Sequence, residues 1–531
     1  FDIAATLGWT GRYENMNNMR VSTNGGLVTE NWFDLNASRY TASSTLQRME
    51  LLKTGYMGTL SLGWDNYLFL ELTGRQERSS TLKDQSFLYP SANLSFLFSN
   101  AFRMPAWWNH GKLRLSYGVV CNAPETYAAN IIYEQGSDNG FTWNYVPSSW
   151  GNANIRPEKK YEYEIGFESK FLNNRLGFDV SYYNNRVKDQ ILSTPQPSTS
   201  GVKYVLMNVG EVANEGWDIS VSATPVLTKN FRWDLTANYG IYRNKVVKLA
   251  DGVPYLEISN IGGGGAKIQA VEGRPMGDIY VQVPQMNENG EYLVSDKGLY
   301  MNQTELQRVG NINPDGVGGL FSSFSYKNIF LDFSIDFRIG GDVINEMYQY
   351  STASGLTPES LQFRDTEHGG LSYYYPGNNN ASGVPVQVDP SLGAGPNGET
   401  VYHDGVILPG VVASTGEKNT RIIPAGYYYN QTYNWGTQPE QLTYRHSVFD
   451  NSYVKLRELT IGYQFPEKLI SKLGMTRLSV SVFGRNLFYF YKALKNYDAE
   501  SSVGTSWASQ AVIGGSTTAT RNFGVSLRAS F

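Results

Sequence analysis

Four histidines, one cysteine and scattered carboxylates are the groups here suited to acid–base, nucleophilic or metal chemistry, and their spacing organises none of it. His110, His368, His403 and His446 stand singly in link or loop sequence. No His-x-x-x-His pair, cysteine cluster or nucleophile elbow accompanies them. Each reads as a solvated or locally hydrogen-bonded histidine. Cys121 is the single cysteine, so no intrachain disulfide can form, and its strand-like context gives it a packing role. Asp404-Gly405 and Asn287-Glu288-Asn289-Gly290 fall short of a twelve-residue calcium loop and read as turns. The glycine run at 262–265 lacks the phosphate-loop context and reads as a flexible loop or hinge. No catalysis, metal or cofactor is expected.

The remaining chemistry is non-covalent recognition. Trp143, Tyr145, Tyr373, Tyr374, Tyr427, Tyr428 and Trp435 lie in long polar stretches. Their rings can stack on sugar faces while the polar tips hydrogen-bond, which makes them candidate substrate contacts. The same residues also suit loops that pack on one another and on a partner, and both readings stand. Asp332, Asp336 and Arg338 share one face of a strand. They are candidates to touch substrate, to satisfy each other, or to brace a further domain.

The strand that carries those charges has the cleanest pattern in the chain. Ile329, Leu331, Phe333, Ile335, Phe337 and Ile339 form one greasy face, opposite Asp332, Ser334, Asp336 and Arg338. That fits a wall between lipid and a wet lumen. The chain closes in the same way: Phe523, Val525, Leu527, Ala529 and Phe531 alternate with Gly524, Ser526, Arg528 and Ser530. Over 531 residues only 17% are charged and 14% are aromatic, and mean hydropathy is -0.36. No apolar run approaches the roughly 18 residues of a helical span. The net charge of -4 argues against a nucleic-acid partner. No N-terminal basic-plus-apolar signal is present, and the first residues already alternate like a strand, so preceding sequence is expected.

Alternating segments recur along the chain, joined by links of two lengths. Short links fall near 65–66, 100–110, 172–175, 225–230, 327–328 and 466–475. Long polar stretches fall near 14–45, 122–157, 245–316, 342–449 and 491–520, with shorter ones near 79–86 and 191–203. The two classes alternate if 277–283 stays inside a loop, giving about 14 strands, an even number as in bacterial outer-membrane barrels. Asp65-Asn66 reads as a two-residue turn, Pro466 as the first residue of a short helix and Gly474 as its stop. The expected fold is all-β: a transmembrane antiparallel β-barrel with short periplasmic turns and long extracellular loops.

The residues also resemble a known family, the SusC/RagA-like TonB-dependent outer-membrane transporters of Gram-negative bacteria. The resemblance rests on an ordered series: Leu113-Arg114-Leu115-Ser116-Tyr117-Gly118; Phe171-Leu172-Asn173-Asn174-Arg175-Leu176; Asn208-Val209-Gly210-Glu211-Val212 with Gly216-Trp217. It continues through Gly273, Pro275 and Gly277, then Gly340-Gly341-Asp342, Ser452-Tyr453-Val454-Lys455-Leu456-Arg457 and Gly484-Arg485-Asn486-Leu487-Phe488. Tyr497-Asp498-Ala499-Glu500 departs from the family's Tyr-Asp-Pro-Glu and is expected to alter one loop turn. The resemblance implies a barrel of about 22 strands. Residues 1–531 would be its C-terminal portion, with the plug domain and about eight earlier strands outside this chain. It further implies active import of oligosaccharides or oligopeptides under a SusD-like lipoprotein lid. TonB would supply energy through the plug segment. The expected partners are that lipoprotein, TonB, the N-terminal remainder of the transporter, outer-membrane lipid and the cargo. The rival reading is a passive channel, or a structural barrel that anchors a surface complex.

Overall fold

The computed structural model describes residues 1–531 except 84, 139–140, 197, 251, 435–439, 442 and 516–517. It divides into two compact units, Phe1–Ile219 with Asn244–Val253, and Ser220–Arg243 with Pro254–Phe531. The principal sheet contains fourteen strands whose hydrogen-bonded order follows the chain.

The first unit carries β1 (Asp2–Leu27), β2 (Ser38–Trp64), β3 (Leu68–Ser79), β4 (Ser86–Phe96), β5 (Trp108–Asn122), β6 (Glu158–Phe171) and β7 (Leu176–Lys188). Each pairs antiparallel with the next. The period-2 pattern becomes a bare apolar face: Ile3, Leu7, Trp9 and Tyr13 of β1 are all strongly exposed. The tight links form where residues tolerate a left-handed backbone. Trp64 opposite Leu68 closes a link of three residues, one longer than expected, with Asp65 at φ 48° and Asn66 at φ 55°. Asn173 and Asn174 do the same between β6 and β7, at φ 60° and 63°.

The stretch after residue 13 departs from expectation. Pairing of β1 with β2 runs from Asp2 opposite Gly63 to Leu27 opposite Ser38, so most of the polar stretch at 14–45 is strand. Asn18, Arg20 and Ser22 make one face polar, and on the other Met19 and Val21 are too short an apolar run to mark a strand, but a ladder needs only backbone groups.

The unit boundary falls within β8 (Glu211–Leu227) and β9 (Phe231–Lys248). The second unit continues with β10 (Gly316–Tyr326), β11 (Ile329–Ile339), β12 (Tyr453–Gln464), β13 (Arg477–Lys492) and β14 (Asn522–Ser530). β14 pairs with β13 from Arg477 opposite Ser530 to Arg485 opposite Asn522, leaving Phe523, Val525 and Leu527 exposed. In the link before β13, Pro466 caps the helix Glu467–Ile470 from outside, and Gly474 stops the following turn at φ 70°.

The long polar stretches of this unit contain folded elements among the described residues. Tyr255–Ile261, Ala266–Val271, Asp278–Val281 and Gln307–Asn311 form a four-stranded antiparallel sheet. Residues 278–281 thus are strand, but in this small sheet rather than the principal one. Ile261, Ala266, Ile268, Ile279 and Val281 bury themselves with Ile344, Tyr444 and Val512. The glycine run belongs to this core: a Cβ on Gly262 would lie 1.8 Å from the Tyr444 hydroxyl, so glycine admits that ring. The 342–449 stretch holds α1 (Glu346–Ala353), capped by the Asn345 side chain on the Tyr348 N–H, and α2 (Ala425–Tyr433).

Ile279→Ala should cost the small sheet about 2–5 kcal/mol through the cavity it leaves. Hydrogen exchange is expected to accelerate at Ala266–Val271 while β10 and β11 keep their protection.

Candidate ligand-facing site

On β11 the nearest neighbours of each charge sit on adjacent strands. Strands lie roughly 5 Å apart, whereas side chains two positions along one strand are almost 7 Å apart. Asp332 accordingly accepts from the Ser323 hydroxyl at 2.6 Å, directly across on β10. Asp336 accepts from Arg457 Nε of β12 at 2.6 Å. Arg338 donates to the backbone carbonyls of Gly340 and Ile312, at 3.1 and 3.0 Å. The three groups therefore do not satisfy one another: each is held by a neighbouring strand or loop.

The aromatic candidates separate in the same way. Tyr373 lies in the short strand Leu371–Tyr374 and is only 1% exposed. Its ring stacks on Tyr402 at 5.5 Å and its hydroxyl donates to Asp404 at 3.1 Å. Burial and the Asp404 charge push that hydroxyl's pKa up. It is a core residue of its loop, with no free ring face to offer. Tyr374 beside it is half-buried. Tyr427 and Tyr428, on α2, pack against Leu299, Val406, Leu408 and Ile423. Trp143 and Tyr145 are open, on the hairpin of Glu134–Asp138 and Phe141–Tyr145, at 48% and 44% exposure. The Tyr145 hydroxyl is bonded to the Glu134 carboxylate, which raises its pKa. Trp435 lies outside the described residues. The candidates thus do not form one constellation.

Two arrangements went unread in the sequence. The first is an ion cluster that ties a loop to the sheet. Arg457 grips Glu500 with its two terminal guanidinium nitrogens, at 2.6 and 2.9 Å, while its Nε holds Asp336. Lys455, 2% exposed, donates to the same Glu500 at 2.5 Å. Asp498 accepts from the Tyr489 hydroxyl at 2.5 Å and from the N–H groups of Glu500 and Ala519. The Ala499 carbonyl accepts from Asn451 at 3.0 Å. The turn at 497–500 is therefore an anchor, and the available signal was its acidic pair set against Lys455 and Arg457. The second is a staple at Asn208. Its amide accepts from the Arg156 N–H and donates to the carbonyls of Arg156 and Asp189, all within 2.9 Å.

Burial opposes ionisation of Glu500, but hydrogen bonds from Arg457 and Lys455 outweigh it and hold the carboxyl down at about 2. A depressed carboxyl contributes stability that is fully present above its unfolded value, near 4.5, and is lost as pH falls toward 2. Limited proteolysis within 491–520 should therefore increase across that window, and Glu500→Gln should show the increase already at pH 7. Asp336→Ala is expected to change stability by less than about 1 kcal/mol in urea unfolding, because that pair is partly solvated and Glu500 still holds Arg457.

A model of the family described as "TonB dependent receptor-like, beta-barrel" matches residues 1–279, more than half of the chain. TonB-dependent receptor P3 of Formosa agariphila is 22% identical over 494 residues, covering 84% of this chain and 42% of that protein. TonB-dependent receptor SusC of Bacteroides thetaiotaomicron is 26% identical over 256 residues, covering 42% of this chain and 24% of that one. Among solved structures, the RagAB peptide transporter superposes with a TM-score of 0.69 at 18% identity, over 98% of this chain and 53% of the other, which bears on the fold. The chain thus spans about half or less of the length of these relatives. The SusC/RagA resemblance drawn from ordered motifs agrees with all of these matches. The chain belongs to the TonB-dependent receptor-like β-barrel family, proteins of the bacterial outer membrane.

Proposed function

We propose that this chain is the C-terminal part of the barrel of an active importer that takes oligosaccharides or oligopeptides across the outer membrane. The observation that carries the reading is the run of antiparallel strands with a bare apolar face, in a member of this receptor family. β1 and β14 are the end strands of the hydrogen-bonded order, and both present large exposed apolar side chains. A bare strand edge in lipid leaves backbone groups unsatisfied at several kcal/mol each. The remainder of the transporter, with its plug and earlier strands, is the partner that would cover those edges.

In this reading a SusD-like lipoprotein closes over the long loops, and TonB acts through the plug to open the path. The likeness to the RagAB peptide transporter supports the oligopeptide class. Trp143 and Tyr145 are the open aromatics suited to stack on cargo, with Tyr374 beside a buried neighbour. In this reading Asp332 and Asp336 face the wet side and tie β11 to its neighbouring strands, while Arg338 ties its end to the backbone carbonyls of Gly340 and Ile312.

Cells carrying the complete receptor should accumulate labelled oligosaccharide or oligopeptide only when TonB is functional, and a surface lipoprotein should copurify. Replacing Trp143 and Tyr145 together by Ala is expected to lower uptake about two- to tenfold. Uptake that persists without TonB would mean a passive channel, and purification without any lipoprotein would remove the lid.

A further inference from the structure

The residues of the Asn208 motif also build a cavity. It has a volume of about 730 Å³ and is lined, among others, by Lys188, Thr194, Asn208, Gly210, Glu211 and Lys248. It sits where β7 ends at Lys188, β8 begins at Glu211 and β9 ends at Lys248, the strand ends that carry the longer connections. That size suits a small ligand or the end of a longer one. The walls are fixed. Asn208 staples two segments together, and Gly210, at φ 98°, turns the chain into β8 in a conformation that side chains rarely adopt.

The polar groups have a definite bias. Asp189 is neutralised by Arg156 at 2.7 Å and Glu211 by Arg186 at 3.0 Å. Lys188 forms no ion pair among the described residues, so the wall is left with a cationic excess. Thr194 is 3% exposed and its hydroxyl has no hydrogen-bond partner. A buried hydroxyl without a partner is uncommon, and an incoming ligand oxygen would relieve it. Met207, Val209 and Leu249 supply an apolar side.

From this we infer that the cavity is a binding site for the carboxylate end of a chain-like ligand, with Lys188 meeting the charge and Thr194 an adjacent oxygen. The site goes beyond the import reading, since a barrel can move cargo without it. Two sources supply that chemistry, an acidic sugar and a peptide C-terminus, and the probes must separate them.

The test is equilibrium binding to the complete receptor in detergent. The probes are trigalacturonate and trialanine, with maltotriose and trialanine amide as uncharged counterparts. At least one carboxylated probe should bind at least tenfold tighter than its counterpart, and salt should weaken it. Lys188→Gln should lower that affinity about tenfold or more, as for a hydrogen bond to a charged group. Lys229→Gln, in the link at the other end of β8, should leave it unchanged. Thr194→Val is nearly isosteric and should also weaken binding several-fold, which keeps the test decisive if Lys188→Gln fails to fold. Preference for trigalacturonate assigns an acidic sugar, and preference for trialanine a peptide terminus. If neither carboxylated probe outbinds its counterpart, or if both cavity variants bind like the parent, the site is refuted. TonB-dependent uptake can survive that refutation, so the two readings fail separately.

Discussion

The backbone hydrogen-bond ladder is the constraint on which everything else here depends. In an apolar medium each unpaired N–H or C=O costs several kcal/mol, so strands that face lipid must pair with their neighbours along their length. Consecutive antiparallel pairing with short links meets that demand with the least loop closure. It also frees the side chains, which no longer have to bury themselves to make the sheet stable. That is why Ile3, Leu7, Val525 and Leu527 are exposed in strands that are nonetheless paired with their neighbours.

With the ladder in place, the polar face is organised across strands rather than along them. Asp332 finds Ser323, Asp336 finds Arg457, and Arg457 reaches onward to Glu500 in a loop. The same geometry fixes the loop at 497–500 against β12 and β13. Long connections also carry built structure: the small sheet of 255–311 shares a hydrophobic core with Ile344, Tyr444 and Val512, and Tyr373 is likewise buried.

Strand pattern was legible wherever one face is apolar and the other polar, as in β11 and β14. It failed at 14–45, where apolar residues such as Met19 and Val21 are too few to mark a strand and the pairing shows only in the backbone ladder. It failed again at 255–311, where strands of four to seven residues among glycines depend on partners as distant as Ile344 and Val512. The aromatic candidates mislead for a related reason. Tyrosine serves equally in a loop core and on a binding face, and only burial distinguishes Tyr373 from Tyr145.

The sequence by itself determined the strand class and the family, because period-2 patterning and ordered motifs are local and survive without coordinates. Only the tertiary structure decided which charges are paired, which tyrosines are open, and that Asn208, Gly210 and Thr194 border one cavity. Those facts arise from contacts between segments tens to hundreds of residues apart, and no local pattern encodes the distance between two side chains on different strands.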